Sequence, residues 1–175
     1  MGIPHFSGGR FNINTLRLPR TIVAFLVGVG LAIAGTITQG ITRNPLAAPS
    51  IIGVNAGATL AAVTLLILLP NTPVSLLPFA AFGGALTVSL LIYLLAWQGG
   101  SSPVRLILVG IGFSLIAGAL TDIMITFGEI NTVSQALVWL AGSVYGRSWS
   151  QVFSLIPWII IFGAIALLLT RELNT

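Results

Sequence analysis

From Thr21 to Ile41 the chain carries no charged side chain, and the run is apolar on every side. A hydrocarbon core of about 30 Å takes about 20 residues of helix, so this one stretch is long enough to cross a bilayer. Lipid offers no water to the backbone, and a span must satisfy its own N–H and C=O groups, which makes helix the default. A water-soluble helix would show a polar face, and this one does not. Its small residues recur at four-residue spacing, Gly28 with Ala32 and Gly30 with Ala34, which lets another helix approach closely. Thr36, Gln39, Gly40 and Arg43 share one face near the far end and turn it toward protein or water.

The rest of the chain repeats the pattern. Of its 175 residues 56% are hydrophobic and 6% charged, and the mean hydropathy is +1.07, values of an integral membrane protein. The pI near 11.3 comes from 7 basic residues, all arginine, against 3 acids. They stand mostly between apolar runs, so they read as interfacial anchors and no nucleic-acid partner is expected. Without lysine there is no GxxxxGK[ST] phosphate loop, so any ATP that drives this chain is hydrolysed on another subunit. His5 has no second histidine, cysteine or carboxylate near it in sequence, and the serines have no base, so neither a metal site, a cofactor site nor a catalytic triad is expected. The reading is a non-enzyme.

Met1 to Leu16 is too polar for a signal peptide or a span, and Phe6 stands where a myristoylation signal carries Ser or Thr. It reads as a surface connection following an earlier helix. Spans are expected at about 21–42, 50–69, 74–97, 104–127 and 151–170, with a short helix at about 133–144. Asn44-Pro45 and Pro49 separate the first two, because proline lacks a donor and turns its predecessor away from helical angles. In the second span Gly53, Gly57 and Ala61 form a small-residue stripe, and Asn55 with Thr59 either packs on a neighbour or lines a pathway. Pro70-Asn71-Thr72-Pro73 is a tight turn, Trp97 an interface anchor and the segment from Gln98 to Pro103 a loop.

The fourth span holds the most informative stripe: Gly110, Ser114, Gly118 and Asp122 recur every four residues. A face so small is covered by another helix or by a water-filled path. Asp122 is the only acid inside an apolar run, and it serves either a structural or interfacial role near the helix end or a proton relay. Thr132-Val133-Ser134-Gln135 resembles a capping box opening the short amphipathic helix, which is too short to span. Trp139, Tyr145 and Trp149 read as an aromatic belt. With five spans the termini fall on opposite sides, and the arginine distribution is too even to orient the chain.

Several separated stretches carry a family resemblance. RLPR followed by LVGVGLAIAGTITQGITRNPLAAPSIIGVNAGA, then LILVGIGFSLIAGAL, VWLAGSVYGRSW and TRELN, together resemble the FecCD family of membrane subunits in bacterial ABC importers for iron(III)-siderophores, haem and cobalamin. The likeness covers nearly the whole chain. Family members also have a helix before RLPR and a second half after RELN, which opens with an ALGxxxAxxLG-like segment that docks on the ATPase. The chain therefore resembles the N-terminal-to-middle part of a permease, from a fragment, a split gene or a truncated gene.

The resemblance implies an all-α integral membrane fold, a multi-helix bundle of an ABC importer permease with about five transmembrane helices and one short interfacial helix, in a single partial domain over 1–175. It implies a multi-pass protein of the bacterial inner membrane, with RLPR outside and NPLA and RELN inside. Its implied partners are cytoplasmic ATPase subunits, a soluble substrate-binding protein, a second permease subunit and the lipid bilayer. It implies that Arg17 and Arg20 pair with acidic residues of the binding protein, against the plainer reading of headgroup anchoring. It places Leu46 at an inner gate, and the Ser102 to Val104 loop where opposite gate residues are found, Pro103 being a departure from the pattern. Gly110, Ser114, Gly118 and Asp122 are then candidates for the translocation path or the subunit interface. The competing classes are a proton- or ion-coupled carrier titrating at Asp122 and a truncated remnant that inserts without transporting.

Overall fold

Proline and glycine set the boundaries of the elements. The computed structural model describes residues 13–97 and 102–169. His5, the loop from Gln98 to Ser101, Thr170 at the end of the last expected span and the Arg171 to Thr175 exit lie outside the described residues. A π-helical turn, Ile13–Arg17, runs directly into α1, Leu18–Thr42, with Pro19, which has no N–H to offer the preceding turn, just past the junction. The 25 residues of α1 make it about 37 Å long at 1.5 Å per residue. It ends at Arg43, whose φ of 50° is left-handed, and Asn44-Pro45 prevents a restart.

The second expected span, 50–69, is divided. Pro49–Ile52 form a 3₁₀ turn, Gly53 takes a left-handed φ of 85°, and α2 begins only at Val54 and runs to Leu68. At 15 residues α2 is about 22 Å long, short of the hydrocarbon thickness. Sequence spacing counted Gly53 as a helical packing residue, whereas its lack of a side chain serves the turn.

A 3₁₀ turn, Val74–Leu76, precedes α3, Leu77–Ala96. Then α4 covers Pro103–Phe127 with its proline at the first position. The short helix α5 is Ile130–Ala141, three residues ahead of its expected start. Its N-cap is Glu129, and the Thr132 hydroxyl donates to the Glu129 carbonyl at 2.8 Å, so the capping box expected at Thr132 to Gln135 does not form. The box stands instead at Ser148 and Gln151, opening α6, Trp149–Leu168. Four segments, Ile13–Thr42, Val74–Ala96, Pro103–Phe127 and Trp149–Leu168, are long and apolar enough to cross a membrane. The described residues form helices joined by turns and loops, and Phe25 and Leu115, 69% and 70% exposed on the sides of long helices, suit contact with hydrocarbon; the protein is a multi-pass membrane protein.

The described residues fall into two compact units, one reaching to Gly40 and resuming at Ser143, the other Ile41–Gly142. In the first, α1 meets α6 through Gly30, where a Cβ would lie 3.1 Å from the Ile159 side chain, and through Gly163, where it would lie 3.6 Å from Ile33. In the second, α2 is the central element, packing on α3, α4 and α5. It crosses α3 where Gly57 faces Gly84: a Cβ on Gly57 would lie 2.7 Å from the Gly84 carbonyl oxygen, and one on Gly84 would strike the Gly57 carbonyl oxygen. These two obstacles are backbone and cannot swing aside, and the Val88 side chain crowds the Gly57 position further.

Gly83 and Gly84 therefore form a matched pair of tests, since Gly83 has nothing within 4 Å of its missing Cβ. Gly84→Ala should cost about 1–3 kcal/mol by overpacking, lowering the thermal midpoint in detergent. Gly83→Ala should leave it unchanged or raise it slightly. Equal midpoints for the two variants would mean that the helices do not cross at Gly84.

Candidate functional site

The stripe on α4 is built from the turn that packs against it. Gly110 is buried, and a Cβ there would lie 2.5 Å from the Ile52 carbonyl oxygen. A Cβ on Gly53 would strike the Gly110 carbonyl oxygen and lie 2.9 Å from the Ser114 hydroxyl oxygen. That hydroxyl donates to the Gly110 carbonyl at 2.9 Å, so its own hydrogen-bonding need is met within the helix. The 3₁₀ turn and Gly53 are thus seated on Gly110 and Ser114, backbone against backbone. One turn further along, Gly118 has nothing within 4 Å of its missing Cβ, and Asp122 is exposed. The four residues share a helix face without sharing a role: two hold the chain's own turn, and two are open.

The loop before that turn has its own lock. Asn44 Oδ1 accepts from the Leu46 backbone N–H at 2.9 Å, and the Asn44 carbonyl accepts from the Ala47 N–H at 3.1 Å. This is an asparagine turn, and with Arg43 left-handed it fixes the loop without regular structure. Ala47 is buried beneath it, while Leu46 projects with 88% of its surface exposed. Such a side chain on a braced loop is held out from the described residues.

In the other unit, Arg17 and Arg20 are both exposed, Arg17 closing the π-helical turn and Arg20 in the first turn of α1. The Arg20 guanidinium carbon lies 5.7 Å from the centre of the Tyr145 ring, a cation–π contact that steadies the side chain while leaving its N–H edges available. Arg147, two residues along, is committed differently: its Nε and Nη2 donate to the Ser143 carbonyl at 3.2 and 3.1 Å, stapling the loop. Trp149 Nε1 donates to the Asn14 carbonyl at 3.0 Å, tying the start of α6 to the π-helical turn. Sequence reading took Tyr145 and Trp149 as a membrane belt and missed both contacts. Nothing in their spacing announces a partner more than 120 residues away. The capping box at Ser148 was legible from the Ser-x-x-Gln pattern and was passed over.

Chemistry is otherwise sparse. Among the described residues no group of three or more His, Cys, Asp or Glu side chains gathers. An open cleft of about 710 Å³ lies between α2 and α3, walled by Leu60, Leu65, Leu68 and Val88 over a floor of Gly57 and Gly84. Its two hydroxyls, on Thr64 and Thr87, both donate to carbonyls of their own helices, so neither has a free donor for a ligand.

The FecCD transport family matches residues 7–175. The achromobactin transport system permease protein of Dickeya dadantii is 44% identical over 95% of this chain and 48% of its own length. The Fe(3+) dicitrate transport system permease protein of Escherichia coli is 43% identical over 90% of this chain and 49% of its own length. The cobalamin import system permease protein of Halobacterium salinarum is 36% identical over 93% of this chain and 44% of its own length. The chain therefore spans about half the length of the curated relatives it matches. Among solved structures, an inward-facing metal-chelate type ABC transporter superposes with a TM-score of 0.87 at 26% identity, over 99% of this chain and 56% of that one.

The division of the α4 stripe has a direct consequence. Gly110→Ala should push the 3₁₀ turn off α4 and lower the thermal midpoint, at a cost of about 1–3 kcal/mol, with faster proteolysis at the Arg43 to Pro49 loop. Gly118→Ala should change neither. Equal sensitivity of the two variants would restore a single role to the whole stripe.

Proposed function

The chain belongs to the FecCD transport family, and from that premise we propose that it is the membrane-embedded portion of a permease in a binding-protein-dependent ABC importer, carrying an iron(III)-siderophore or a related metal chelate. The observation that carries the reading is the continuous likeness to permeases of that kind across nearly the whole chain, joined to a shared fold with a metal-chelate type transporter. The chain performs no covalent chemistry in this reading. ATP is hydrolysed by separate cytoplasmic subunits, and a second permease subunit completes the passage. The membrane is the bacterial inner membrane.

The residues take the following parts. Arg17 and Arg20 receive acidic side chains of a soluble substrate-binding protein, Arg20 being held ready by Tyr145. Leu46, projecting from its asparagine turn, acts at the inner gate. Gly118 and Asp122, the open half of the α4 stripe, face the passage or the neighbouring subunit, while Gly110 and Ser114 support that face by seating the 3₁₀ turn.

Reversing both arginine charges, Arg17→Glu with Arg20→Glu, should weaken association with the binding protein at least tenfold, equivalent to about 1.4 kcal/mol, with the loss shrinking as salt rises. Association at wild-type strength would remove the pair from the docking surface. In proteoliposomes carrying the complete assembly, ferric-chelate uptake should require ATP on the side of the ATPase subunits and persist in Asp122→Asn. Uptake that instead follows an imposed proton gradient and vanishes in Asp122→Asn would replace the importer with an ion-coupled carrier.

A further inference from the structure

In apolar helices a hydroxyl usually closes onto the carbonyl one turn back, and this chain follows the rule. Thr36, Thr64, Thr87, Ser89, Thr121 and Thr126 each donate to the carbonyl four residues earlier, at 2.7 to 2.9 Å. Asn55 and Thr59 depart from it. They lie one turn apart in the first half of α2, Asn55 exposed and Thr59 half-buried, and neither side chain bonds to any described residue. The carbonyl four residues before Thr59, that of Asn55 itself, goes unused by the hydroxyl.

The helix geometry shows which way they point. Each is two residues from Gly57, about 200° around the axis, so both stand on the side of α2 opposite the Gly57–Gly84 crossing. The α4 side of the helix is marked by Thr64, whose hydroxyl meets the Met124 sulfur at 3.3 Å, and it too lies away from them. A free primary amide with two donors and an acceptor, beside a free hydroxyl, would lose its bonds to water against hydrocarbon and gain none in return. Neither α3, α4 nor α5 bonds to them, and lipid cannot. One turn beyond Thr59 the same side of the helix closes over Ala62, which is fully buried, so the open stretch is the first half of α2.

We propose that the Asn55–Thr59 face of α2 lines a water-filled passage and exchanges hydrogen bonds with a hydrated polar solute in transit. Both groups are uncharged, so they offer a solute bonds that are readily exchanged with water, which suits passage better than retention. The proposal rests on the membrane-crossing part of the function above and is independent of what drives transport.

The chain contains no cysteine, so single substitutions Asn55→Cys and Thr59→Cys each place a unique thiol in it. The test measures their modification by negatively charged methanethiosulfonate ethylsulfonate, in native membrane vesicles carrying the full chain with its partner proteins. References are Leu94→Cys on the apolar outside of α3, where the native side chain is 58% exposed, and Ala62→Cys in the core, where it is 0% exposed. Maleimide titration after denaturation normalises each variant for the protein present. Thiols react as thiolates, which need water, so positions 55 and 59 should react at least tenfold faster than both references. Asn55→Ser should keep uptake, and Asn55→Leu should reduce it several-fold. Reaction at 55 and 59 no faster than at position 94, with ATP-dependent uptake intact, would overturn the proposal and leave the importer reading standing. Uptake driven by a proton gradient, with fast reaction at both positions, would overturn the importer reading and uphold this one.

Discussion

Backbone-to-backbone contact at glycine is the interaction on which the second unit depends. Lipid tails are as apolar as leucine, so burying a leucine between two membrane helices gains little, and association rests on close packing. Gly57 and Gly84 bring α2 and α3 together until each carbonyl occupies the space a methyl group would need. Gly110 does the same for the 3₁₀ turn ahead of α2, and Gly53 can accept that position only because it lacks a side chain and tolerates a left-handed φ of 85°. A helix of 15 residues is too short to cross the hydrocarbon by itself; packed on by α3, α4 and α5, it becomes the centre of its unit.

Polar groups are managed by the complementary rule. Hydroxyls in the spans bond to their own helices, the asparagine of the Asn44-Pro45 break braces its own loop, and the charges of Arg17, Arg20 and Arg147 lie at the ends of spans. What escapes the rule is therefore informative. Asn55, Thr59 and Asp122 are polar, have side chains unbonded to described residues and are placed within apolar helices, and a membrane protein tolerates such groups where water or a polar partner reaches them. Arg20 illustrates a second use of restraint: the Tyr145 ring fixes a long cationic side chain without consuming its donors.

The sequence made much of this legible, and the limits of the reading are physical. Long apolar runs announced five spans, because length and hydrophobicity are local properties; four are helices long and apolar enough to cross a membrane, and the expected second, 50–69, breaks at Gly53. The four-residue stripe on α4 was equally visible. Periodicity reports which residues share a face and is silent on what meets it, so Gly110 and Gly118 looked alike until one was found beneath Ile52 and the other beneath nothing. Gly53 was taken as the first member of a helical stripe because its spacing to Gly57 and Ala61 is the same whether or not the helix continues through it. Tyr145 and Trp149 fitted an interfacial belt well enough that no residue pattern pointed onward to Arg20 and Asn14.

By itself, then, the order of residues determined the solvent, the helical class, the breaks at proline and the family. Each follows from transfer free energies and backbone sterics that act within a few neighbours. Only the tertiary structure decided which glycines are crossings, where the second span breaks, which arginine is stapled and which is presented, and which polar side chains are left without a protein partner. Those outcomes depend on atoms brought within bonding distance from elements far apart in the chain, and no local pattern records them.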